Sequence, residues 1–166
     1  MTELSLDRVG GALLSAFRIV VGFLFLCHGL ATVFGLFAGP NIRPGVSVAA
    51  PIGQWPSWWA GLIQLVGGGL VLIGLFTRPA ALISSGAMAF AYFSVHQPKG
   101  VLPIQNFGEL AAMYSWIFLL IAVLGPGTYA LDTLLRQATA RPSMAGVPPQ
   151  RRRTAVLRRR GGVAQR

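Results

Sequence analysis

Four apolar runs, parted by short breaks, set the pattern of the chain. The first covers residues 11–37 and is interrupted by Arg18 and His28. The second opens on Trp55, Trp58 and Trp59, side chains that favour a water–lipid boundary, and continues to Phe76. The third fills residues 79–95 and the fourth 107–124. A helix needs about 20 apolar residues to cross a ~30 Å hydrocarbon core. The pattern therefore predicts an all-α integral membrane four-helix bundle, with spans at about 12–36, 56–76, 79–96 and 107–124. Within the second, Gly61, Gln64 and Gly68 fall on one helical face, where small residues admit a close neighbour.

The breaks fit this reading. Residues 38–54 hold three prolines and three glycines and cannot continue a helix; an ordered loop on the membrane surface is expected there. Thr77-Arg78-Pro79 is a tight turn, and Pro98 and Pro103 close the loop from His96 to Asn106. Gly125-Pro126-Gly127 stops the fourth run. A short amphipathic piece is expected at 128–136, and a disordered tail at 137–166. The organisation is a polar N-terminus (1–10), a membrane domain (11–136) and an arginine-rich tail (137–166).

Composition strengthens the membrane assignment. Hydrophobic residues make up 54% of the 166 positions and charged ones 11%, against roughly 25% charged in soluble domains. The formal charge of +10 suggests nucleic acid until its location is read. Seven of the fourteen basic residues, Arg151, Arg152, Arg153, Arg158, Arg159, Arg160 and Arg166, lie in the last sixteen positions, so the charge belongs to a tail and no nucleic-acid surface is implied. A solvated tail is the simpler reading; contact with anionic lipid is the alternative. With four spans both termini share a side. That side carries Arg8, Arg78, Arg136, Arg141 and the tail arginines, against Arg43 and Lys99 opposite, so both termini are expected in the cytoplasm. The single cysteine, Cys27, excludes an internal disulfide and cysteine-rich metal sites.

Orientation gives the intramembrane polar residues a depth. His28, Gln64, His96, Asn106 and Glu109 all fall in the outer half, and ionisable groups in a membrane cost a few kcal/mol unless paired or hydrated. They are the candidate ligand pocket. Each also has a plainer reading: Glu109 meets a helix dipole, Asn106 caps the fourth span, Gln64 bonds between helices, and each histidine satisfies itself at an interface or in the bundle. Arg18, in the inner half, is a candidate structural ion pair with Asp132.

The order Arg18…Gly22-Phe23…His28-Gly29, Gly68…Gly74-Leu75…Thr77-Arg78-Pro79, His96…Pro103…Asn106-Phe107-Gly108-Glu109 and Gly125-Pro126-Gly127…Leu131-Asp132 resembles the DoxX family across about residues 11–135. The resemblance implies a multi-pass protein of the bacterial plasma membrane. It links the chain to thiosulfate:quinone oxidation or to a membrane complex handling oxidative stress, with soluble redox proteins as partners beside the lipid bilayer. The family often carries glutamate where this chain has Gln64, so no proton transfer is implied at that position.

Three functions remain open. One is a subunit of a quinone-linked oxidoreductase complex, with the polar residues holding a quinone-like ligand. A second, weaker one makes His28 and His96 axial ligands of a haem. The third is a non-catalytic anchor, scaffold or small transporter. No nucleotide loop, nucleophile elbow or zinc motif is present, which argues against a self-sufficient enzyme.

Overall fold

The computed structural model describes residues 3–37 and 49–140, and every regular element in them is helical. Helix α1 (Glu3–Phe34) is followed by an antiparallel α2 (Ser57–Ile73) and by α3 (Thr77–Ala91), which runs on into a π-turn (Tyr92–His96) and a 3₁₀ turn (Gln97–Lys99). A single-turn α4 (Pro103–Asn106), α5 (Glu109–Leu124) and α6 (Leu131–Ala140) complete the chain. The expected loop at 38–48 and tail at 141–166 lie outside the described residues.

Among the described residues, α1 alone is long and apolar enough to cross a membrane by itself, over Arg8–Phe34. Helices α2 and α5 are apolar but only 17 and 16 residues long. At ~1.5 Å per residue they reach a few ångströms less than the ~30 Å core. Two boundaries differ from expectation. Helix α1 begins at Glu3, inside the stretch read as a polar N-terminus, because Glu, Leu and Arg are good helix formers and nothing there breaks the helix. Helix α6 occupies Leu131–Ala140 instead of 128–136, so residues 137–140 are helical, not disordered. The sequence then meets Arg141-Pro142, which disfavours helix.

Close backbone approach welds α1 to α2. A Cβ on Gly22 would sit 2.6 Å from the Leu72 nitrogen, and one on Gly68 2.6 Å from that of Leu26. Without a hydrophobic drive inside lipid, such contact is what holds membrane helices together. Helices α3 and α5 pack through small residues, and Ser85 Oγ donates to the Ser115 carbonyl at 2.8 Å. Phe25, Phe118, Ile121, Val71 and Ala81 are fully buried between the two pairs. Phe25 stacks on Phe118 and Tyr114, with ring centroids 4.5 and 5.2 Å away.

One end of the bundle is tied by polar groups. Arg18 is 1% exposed. Its guanidinium donates to the carbonyls of Val71 and Leu72, in the last turn of α2, and to those of Pro126 (2.9 Å) and Tyr129 (2.7 Å) after α5. Gly74, in the left-handed region, ends α2: its own N–H and that of Leu75 turn back to the Leu70 carbonyl, and Arg18 meets the next two, Val71 being shared with the Gly74 N–H. Asp132 takes the start of α3: its carboxylate accepts from the Phe76 and Thr77 N–H groups, both at 2.9 Å, while its own N–H donates to the Gly74 carbonyl. Phe76, left-handed at φ 47, has no capping side chain, so the cap comes from α6. Arg18 and Asp132 thus meet through the backbone of the α2–α3 turn, not as the direct ion pair expected. Arg18 is drawn to helix-end carbonyls, and the carboxylate to helix-start N–H groups.

Two tests follow from this packing. Gly68→Ala should lower the unfolding midpoint in detergent by several degrees, an overpacking cost of about 1–3 kcal/mol. Gly69→Ala, with open space around its Cβ, should leave the midpoint unchanged or slightly raised. The Asp132 carboxyl is pushed up by burial but pulled further down by the Thr77 and Phe76 hydrogen bonds and the Arg136 charge, so it ionises below its ordinary range. A depressed native value means its stabilisation is complete above the unfolded pKa of ~3.9 and disappears as pH falls through the lower native one. A thermal scan from about pH 6 down to about pH 3 should show that acid-side loss in the wild type and a smaller one in Asp132→Asn.

Candidate functional site

At the opposite end the helices leave a cavity of about 210 Å³. Helix α1 contributes Phe25 and His28, α2 contributes Gln64, α3 and its π-turn contribute Met88, Ala91 and His96, and α5 contributes Tyr114. His28 and Gln64 share a level because Gly29 abuts the α2 backbone there, a Cβ on it falling 2.8 Å from the Gln64 carbonyl carbon. The His28 ring stands edge-on to the Tyr114 ring, centroids 6.0 Å apart. Phe107 lines the mouth with a left-handed backbone, φ 57, a conformation that costs free energy for a bulky residue and gathers at sites where geometry is imposed.

The polarity of the walls can be read. His96 Nδ1 lies 3.0 Å from the Asn106 carbonyl oxygen, which can only accept. Nδ1 therefore carries the proton, and in the neutral ring Nε2 is an acceptor. The Gln64 amide oxygen is buried without a hydrogen-bond partner at the wall of the same cavity. A buried acceptor left unmet costs about 1–3 kcal/mol. The cavity thus holds one buried acceptor without a partner, beside groups able to donate, the Tyr114 hydroxyl and the Gln64 amide NH2.

Of the residues singled out from sequence, His28, Gln64 and His96 border this one cavity. Asn106 does not; it is 1% exposed and holds the loop from beneath. Its Nδ2 donates to the Gly100 carbonyl at 2.8 Å, its Oδ1 accepts from the Gly108 N–H at 2.8 Å, and its carbonyl fixes His96. Glu109 is exposed in the first turn of α5 and faces away. The interior face of α5 is Ala111, Tyr114, Phe118 and Ile121. A residue two positions before Ala111 is rotated by about 200°, onto the far side. Tyr114, Met88 and Ala91 were not foreseen. A tyrosine within an apolar helix was the available signal for the first; the other two look like ordinary core residues. Among the described residues no cluster of three or more His, Cys, Asp or Glu side chains is arranged for a metal ion.

The DoxX family model matches residues 13–97, the stretch from α1 through the π-turn that holds Arg18, His28, Gln64 and His96. An uncharacterized Haemophilus influenzae protein is 41% identical over 131 residues, covering 77% of this chain and 94% of its own. The chain belongs to the DoxX family. An uncharacterized membrane protein of Mycobacterium tuberculosis is 33% identical, over 74% of this chain and 82% of its own length. The inner membrane protein YqjF of Escherichia coli is 30% identical, over 72% and 89%. No solved structure matches the chain. Like its DoxX relatives, this is an integral protein of a bacterial plasma membrane.

The Asn106 clamp makes the site testable in isolation. Asn106→Leu should strand the buried Gly100 carbonyl and Gly108 N–H, at about 1–3 kcal/mol each. Amide exchange across residues 97–108 should then quicken at least tenfold while α1 and α2 keep their protection, as read by mass spectrometry.

Proposed function

We propose that this DoxX protein is the ligand-binding subunit of a membrane oxidoreductase complex, its cavity taking a single dihydroxylated ring of the quinol type. The observation carrying this reading is the unpartnered Gln64 Oε1 in a cavity that His96, its Nδ1–H held by the Asn106 carbonyl, also lines. A ring hydroxyl suits such a lining, since it donates to an acceptor and accepts from the Tyr114 hydroxyl or the Gln64 NH2. A cavity of about 150 Å³ holds a benzene ring, so the volume here suits one substituted ring and is small for the four pyrroles of a haem. Phe25, Met88 and Tyr114 supply the apolar and aromatic faces such a ring packs on.

A ring hydroxyl donating to His96 Nε2 is placed for proton transfer. The imidazolium so formed keeps its Nδ1–H on the Asn106 carbonyl, so the ring need not turn. Oxidising a dihydroxy ring releases two protons and two electrons, and the electrons require a partner redox protein. That is why we assign a subunit rather than a complete enzyme. In the same reading four helical spans (α1, α2, α3 with its π-turn, α5) cross the bilayer, both termini are cytoplasmic by the distribution of arginines, and the cavity opens in the outer half.

Calorimetric titration of the detergent-purified protein with 1,4-dihydroxybenzene tests this. Binding should weaken about tenfold in Gln64→Leu and in His96→Leu, each removing one acceptor. Glu109→Gln, off the cavity, should stay within twofold of wild type. Absence of wild-type binding, or equal affinity in all four proteins, would reject the quinol reading and leave a scaffold.

A further inference from the structure

The cavity does not stand alone. A second, larger hollow of about 480 Å³ lies along the seam between α2 and α3. Its walls are mostly apolar: Ala60 and Ile63 from α2, Ala87 and Phe90 from α3 and Val95 from the π-turn, with Ser57 and Ser94 among them and the Trp55 ring 5.6 Å from that of Phe90. Ala91 lines both hollows. Residues of the two walls alternate along the same helices, Ile63 beside Gln64 and Ala87 beside Met88, and the residue between the hollows is an alanine, with one methyl group.

We infer that the groove receives an aliphatic chain carried by the ring ligand, so that the full ligand is a membrane-dissolved amphiphile whose head sits between Gln64 and His96 and whose tail passes Ala91 into the α2–α3 seam. This rests on the reading of the cavity as a ring site and adds the chain. The sizes agree with it. The polar cavity is below the ~300 Å³ at which sites for larger organic ligands begin, whereas the groove lies within their range. Chemistry agrees as well: one hollow has an unmet acceptor among polar side chains, the other mostly apolar walls, and a ligand bridging them has the same division. In a bilayer such a chain comes from lipid, so it gains packing and placement more than hydrophobic transfer. The seam thereby selects chain-bearing ligands that arrive sideways from the membrane.

The test compares 1,4-dihydroxybenzene with its 2-decyl derivative against the full-length protein in lipid nanodiscs. Ala60→Phe fills the groove but lies off the polar cavity. It should weaken the decyl compound at least tenfold and the bare ring less than twofold. Ala87→Phe, on the opposite wall, should repeat the result and guards against a folding defect peculiar to one variant. Gln64→Leu should weaken both compounds alike. Equal loss of both compounds in the groove variants, or no loss of the decyl compound, would overturn the inference and leave the groove to bulk lipid while the ring site stands. Failure of the bare ring and the decyl compound alike to bind the wild type would remove the ring site and the tail site together.

Discussion

A buried guanidinium whose hydrogen bonds all go to backbone carbonyls is the constraint on which this bundle turns. Taking such a charge from water costs several kcal/mol, and hydrogen bonds to a charged donor return about 1.5–3 kcal/mol each. Arg18 has four carbonyl partners, on two different parts of the chain. They belong to the end of α2 and to the turn after α5, where backbone carbonyls run short of helical donors. The arginine thereby fixes the angle at which α2 ends and the position of the chain after α5. Asp132 does the complementary work on the N–H groups at the start of α3. Each charge is matched to the sign of the backbone end it meets.

This division separates architecture from recognition. The tied end commits two of its charges, Arg18 and Asp132, to its own backbone. The other end differs: its loop is clamped by Asn106, yet the Gln64 amide oxygen lies buried at a hollow without a partner. A π-turn before His96 and the left-handed Phe107 border that hollow, departures from ideal geometry of the kind that accumulate where a site is shaped.

Much of this could be read from sequence, and the limits are instructive. The runs of apolar residues named the helices, because lipid enforces length and composition. The level of His28, Gln64 and His96 followed from the direction of each run. What sequence did not supply was azimuth. Glu109 is at the expected end of its helix but on the wrong face, and Tyr114, on the right face, bore no mark beyond its hydroxyl. The partners of Arg18 were invisible for another reason: backbone carbonyls carry no sequence signature, so the one acidic residue near that depth was taken instead. Asp132 was near, but turned to N–H groups.

The span of the Arg18 contacts has a consequence for synthesis. The arginine is made among the first twenty residues, whereas its last acceptor, the Tyr129 carbonyl, comes 111 positions later. Throughout translation of α2, α3 and α5, the membrane-inserted first helix holds a cation that is incompletely neutralised. Only chains that have reached the turn beyond α5 can close the guanidinium in. The contact that fixes the finished geometry is thus the last to close, and a chain that stops short of residue 126 holds its arginine on the α2 carbonyls alone.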